Sequence, residues 1–202
     1  MRHQKYLRNS LISLFSFLLI LFSIPLFARA DSSYGSGTYN SCAYSTACNN
    51  TTISISSGPS LSLNVNFNTL PACAAANDNV IVSTNSATGY SLLINSFNSG
   101  GYLTGATNIS STSGSRSSPV TLSINTWGYR VDSLAGFGAI PSNYLTASYA
   151  AVPVATTDLI AQTSAPATNA STAVWYGVCV DTSIPSGSYT DTIVYTAVAN
   201  SN

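Results

Sequence analysis

The chemistry available to this 202-residue chain lies in four cysteines, six aspartates and a set of aromatic side chains. Cys42, Cys48, Cys73 and Cys179 all lie beyond residue 30. Four cysteines in an exported chain pair into two bridges, with three connectivities open. Of these, Cys42–Cys48 with Cys73–Cys179 is the favoured set. The first bridge closes the short loop CAYSTAC, and the second joins parts far apart in sequence. A thiolate metal site is the weaker reading, because no C-x2-C pair is present and an oxidising compartment favours bridges. The acids are Asp31, Asp78, Asp132, Asp158, Asp181 and Asp191. Against them, residues 31–202 hold only Arg116 and Arg130, with no Lys, Glu or His, so the segment carries −4.

These counts exclude whole classes. A nucleic-acid surface needs a basic face to neutralise phosphates, and two arginines cannot make one. A serine or cysteine nucleophile needs an imidazole base, and none remains after residue 30. Two short stretches, Val180-Asp181-Thr182-Ser183 and Val131-Asp132-Ser133-Leu134, superficially resemble the paired Asp-Thr-Gly loops of aspartic proteases. Both lack the glycine that lets such loops meet, so turn formation at strand ends is the expected role of these aspartates. Asn77-Asp78-Asn79 offers oxygen atoms to Ca²⁺ but lacks the spacing of a binding loop, and a solvated turn is expected there. The chain is therefore expected to be non-enzymatic, without cofactor or metal. Trp127, Tyr129, Trp175 and Tyr176 could form a sugar-binding platform, having apolar bodies with polar tips. The competing reading is core. Trp127 falls on an apolar face, and Trp175 shares parity with Cys179, which is expected inside.

The elements that hold these residues follow a leader. Residues 1–10 carry three basic residues and a histidine; Leu11–Phe27 is a 17-residue run, apolar apart from Ser and one Pro; Ala28-Arg29-Ala30 follows. That order reads as a secretory signal helix cut before Asp31. The alternative is an uncleaved anchor, the chain's one route to a membrane. Residues 31–51 read as an irregular Ser/Tyr/Gly arm, and 52–202 as one β domain.

Period-two alternation dominates that domain. Leu61-Ser-Leu63-Asn-Val65-Asn-Phe67 reads as a half-buried strand. Residues 79–84 and 89–95 read as a hairpin, 119–124 and 126–132 as further strands, 173–180 as a central strand and 188–199 as a long last strand. Short edge strands in long loops are expected between 133 and 170. Pro185 and Gly187 mark a turn, after which Tyr189 is placed to form a tyrosine corner. Many short strands with no helical period indicate an all-β fold, an immunoglobulin-like Greek-key sandwich.

Three blocks carry a resemblance: VSTNSATGYSL from Val82, TWGYRVD from Thr126, and YGVCVDTSIPSGSYTDTIVYTAVAN from Tyr176. Across residues 80–200 the chain resembles small exported proteins of Saccharibacteria-type candidate-phylum bacteria, a group without an assigned activity. The closing stretch PSGSYTDTIVYTAV is also similar to the last strand of spore-coat U and WxL wall domains, although the paired Trp-x-Leu motif is missing. The resemblance implies a secreted or cell-surface β domain. The resulting expectation is an adhesion, appendage or envelope component whose partner is a surface protein or glycan. Self-association is expected by strand addition from the arm. The alternative is a carbohydrate-binding module.

Overall fold

The computed structural model describes residues 51–68 and 70–201. The leader, the arm up to residue 50 and the Cys42–Cys48 pairing lie outside those residues. The described chain is all-β. Its one helical element is a single 3-10 turn at Tyr144–Thr146, capped by Asn143, whose side chain accepts from the Leu145 amide at 2.9 Å. No helix among the described residues is long and apolar enough to cross a membrane.

The larger sheet has six strands. Its centre is two long antiparallel strands, β2 (Ala72–Thr84) and β10 (Ala167–Val180). β1 (Ile53–Ser56) flanks β2, and β7 (Thr126–Val131) flanks β10. β5 (Asn108–Ser111) and β4 (Leu103–Thr104) extend the far side. The second sheet has three strands, β3 (Tyr90–Ser96) between β11 (Ile193–Ala199) and β9 (Asp158–Gln162). A two-stranded patch joins β6 (Val120–Thr121) to β8 (Ser148–Tyr149).

The inward faces of the two larger sheets share one core. Val80 and Val82 of β2, Trp127 and Tyr129 of β7, and Val174 and Val178 of β10 meet Leu92 and Ile94 of β3 and Ile160 of β9. Each such side chain contributes about 1.5–3 kcal/mol by leaving water.

Three sequence expectations change here. Residues 79–84 and 89–95 do not form a hairpin. β2 and β3 belong to different sheets, and the turn at 85–89 carries the chain across the core. Val80, Val82 and Thr84 of β2 and every second residue of β3 are buried, and those faces oppose each other instead of lying side by side. Gly89, at φ +78°, makes the tight turn, with its amide donating to Ser86 O at 3.0 Å. Leu61–Phe67 is not a strand. It alternates as expected, with Leu63 and Val65 half-buried against the core, yet it takes no place in a ladder. The final strand is also shorter than expected, because residues 188–192 stand outside β11.

The outer face of the larger sheet is covered as well. Gly128 and Gly177 are cross-strand partners and leave a bed for Tyr149, which is fully buried there. A Cβ on Gly177 would lie 2.6 Å from Tyr149 Cζ. Gly177→Ala must therefore displace the ring, and we expect a loss of about 1–3 kcal/mol in thermal or urea unfolding.

Candidate functional site

Cys73 and Cys179 are bonded, as the favoured pairing has it, with Cα atoms 4.1 Å apart. They are directly opposed in the β2–β10 ladder, on the outer face. The bridge therefore locks two central strands across a sequence separation of 106 residues.

Three of the four candidate ligand-contact aromatics share the inward face, with Tyr129 and Tyr176 cross-strand partners, and the fourth does not. Trp127, Tyr129 and Tyr176 are buried in the core. Trp175 alone lies on the outer face, contrary to its expected core position. Its parity does match Cys179, but that parity points outward, toward the covering 133–150 loop. Trp175 is half-buried there, stacked on Tyr144 with centroids 3.5 Å apart and planes at 15°. One face of the indole is thus taken by the protein itself.

Beside that stack is a largely buried ion pair. Arg130, cross-strand from Trp175, is 3% exposed. Its Nε donates to Asp132 Oδ1 at 2.6 Å, and its terminal nitrogens donate to Ala139 O at 2.6 Å and Ser148 O at 3.3 Å. The Tyr144 hydroxyl donates to the other oxygen of Asp132. This network pins the loop to the sheet.

Among the described residues the remaining aspartates are likewise engaged. Asp158 Oδ2 accepts from the Tyr129 hydroxyl at 2.7 Å, and Asp191 Oδ2 from the Ser96 hydroxyl at 2.7 Å. Asp181 Oδ1 accepts from the Ser183 amide at 2.9 Å, the turn-forming role expected of it. The Ser183 hydroxyl and amide and Asn125 hold its carboxyl below the usual range. Asp78 stands mid-strand in β2, not in the expected turn, and accepts from the Gly58 amide at 2.9 Å. Its neighbours Asn77 and Asn79 point to the opposite face, so the three do not converge. Among the described residues no cluster of three or more His, Cys, Asp or Glu could hold a metal. The predicted tyrosine corner is present: the Tyr189 hydroxyl donates to Pro185 O at 2.7 Å.

One feature was not legible in the sequence. A groove of about 870 Å³ opens into the core. Its floor includes Trp127, Tyr176, Val178 and Val180; one wall is residues 57–65 and Phe67, the other residues 184–193. Near it, the Tyr176 and Tyr195 hydroxyls are hydrogen-bonded at 2.6 Å, with Asp78 facing Tyr195.

Burial raises the phenols of Tyr129, Tyr176 and Tyr195 well above their ordinary value, and those of Tyr144 and Tyr149 to about 12. The Tyr144 shift is reinforced by its bond to Asp132. The folded chain thus holds these protons more tightly than the unfolded chain, whose tyrosines ionise near pH 10. Their contribution is complete below pH ~10 and is lost as pH rises through the folded values. The described residues contain no His, and both their cysteines are bridged. We therefore expect unfolding free energy to be flat from about pH 6 to 9 and to fall steeply above pH ~10, in step with phenolate absorbance.

Comparison of the chain with protein-family models, with curated proteins and with solved structures gives no match.

Proposed function

We propose that this is an exported, non-catalytic β-sandwich protein of the cell exterior, serving as an adhesion, appendage or envelope component. The observation that carries the reading is the Cys73–Cys179 bridge in the central ladder. Such a bridge persists in an oxidising compartment and is rare in a reducing cytosol. The leader supplies the route out. The resemblance to small exported Saccharibacteria-type proteins supports the same address. The non-catalytic part is supported by the carboxylates: Asp78, Asp132, Asp158, Asp181 and Asp191 each accept a hydrogen bond from a neighbouring side chain or amide.

The immunoglobulin-like Greek key is the reading of the fold that the strand order favours. Lettering β1, β2, β3, β7, β10 and β11 as A to F, the larger sheet contains A-B-E-D and the smaller contains F-C. Those are the neighbours of a constant-type domain, whose second sheet is completed by a strand G beside F. The partner is a surface protein or glycan, or further copies of this chain joined by strand addition.

Protease treatment of intact cells, followed by a non-reducing gel, tests the address. The expected result is digestion of the protein on unbroken cells, with the undigested control fully oxidised. Protection from protease together with free Cys73 and Cys179 would refute it.

A further inference from the structure

We propose that the groove beside β11 is a vacant strand position, filled by the Leu61–Phe67 segment of a second copy in a reciprocal exchange that makes a closed dimer. The inference deepens the strand-addition reading above but takes a different segment from the N-terminal arm.

The acceptor comes first. β11 is an edge strand, paired only with β3 among the described residues. Its inward residues Ile193, Tyr195 and Ala197 are only half-buried, whereas every inward residue of its neighbour β3 is buried. The second sheet is thus short of cover on the side where the six-letter order lacks its seventh strand. An unpaired edge next to an open groove is a template for an added strand.

The donor is the segment whose sequence reads most clearly as a strand and which is not one here. Leu61, Leu63, Val65 and Phe67 alternate with Ser and Asn over seven residues, and β11 also has seven. No backbone–backbone hydrogen bond ties residues 59–67 to any described residue. Leu61 is 38% and Phe67 43% exposed. The segment has no charge to desolvate, and its apolar side chains fall on one face at alternate positions.

The choice of a second copy follows from the anchors. Gly58 is held by Asp78 of β2, and Ala72 opens β2 opposite Val180. Both ends of the segment are therefore pinned to the larger sheet, so it lines one wall of its own groove without bonding to the other. Extending outward leaves those anchors intact. Donor and acceptor also flank one groove. A two-fold axis there lets each copy give and receive at once, so association closes at two chains.

Light scattering on the chain from residue 31 to 202, across a wide concentration range, tests the proposal. The expected mass is twice that of one chain. Leu61→Asp with Phe67→Asp, both at exposed positions, should halve it, and deleting residues 31–50 should leave it unchanged. A synthetic peptide of residues 59–68 in excess should convert the unmodified dimer to monomer, a readout that does not depend on a variant folding. A monomer at every concentration would overturn the proposal in favour of closure within one chain. Loss of the dimer on deleting residues 31–50 would overturn it in favour of the arm. A dimer indifferent to the peptide would place the interface elsewhere.

Discussion

Replacing Cys73 and Cys179 together by Ala is expected to destabilise the domain by about 4–5 kcal/mol, the chain-entropy value for a loop of about 100 residues. At roughly 2–4 °C per kcal/mol for a domain of this size, the melting temperature falls by about 10–20 °C. The effect should fall mainly on the unfolded chain. Cys73 and Cys179 are already partners in a ladder running from Ala167 to Val180, so the sheet keeps its register when the bridge is removed. The folded variant should therefore retain its far-ultraviolet circular dichroism at low temperature. Adding reductant to the unmodified protein should reproduce the loss, and adding it to the double variant should cost little more. A variant as stable as the parent would mean that the ladder alone constrains these strands.

Arg130→Ala is expected to cost about 3–5 kcal/mol, the penalty for leaving a buried partner charge unmatched. Only 3% of Arg130 is exposed, and its guanidinium satisfies Asp132, Ala139 O and Ser148 O together. Removing it takes a donor from all three acceptors and leaves Asp132 with the Tyr144 hydroxyl as its remaining side-chain partner. Arg130→Lys should recover only part of the loss, because an ammonium group cannot reproduce the fork that reaches three directions. Arg130→Met combined with Asp132→Leu should be less damaging than Arg130→Met alone, since the second change removes the unmatched carboxylate. Equilibrium urea unfolding of the four variants gives the comparison. Equal losses in Arg130→Met and the double variant would contradict the view that the unmatched carboxylate is what costs stability.

Arg130 also shows how far the sequence could be read. Alternation with Tyr129 and Val131 leaves it either facing solvent or paired with a strand-end aspartate, and neither reading buries it. Alternation divides β7 correctly into two faces, yet it cannot say that a loop twenty residues on will cover the outer one. The same limit explains Trp175, whose parity with Cys179 was right and whose side was not. β7 and the C-terminal half of β10 were legible because their apolar residues alternate or run unbroken between turn signals. Residues 72–78 were not, because Ala-Cys-Ala-Ala-Ala-Asn-Asp has little hydrophobic contrast. Its strand state is imposed by pairing with β10. The turn at 85–89 was recognised, but turn residues do not reveal whether the following strand returns to the same sheet. Leu61–Phe67 is the inverse case, in which the local pattern is ideal and the partner edge is missing from the chain's own ladder.

Oxidised, exported folding outside the cytosol is the claim on which the account rests. N-terminal sequencing of the protein recovered from culture supernatant and from washed cells, with thiol counting on the same samples, tests it most directly. The account predicts a chain beginning at Asp31 with no reactive thiol at Cys73 or Cys179. A chain beginning at Met1, recovered from the cytosol with both thiols free, would contradict it.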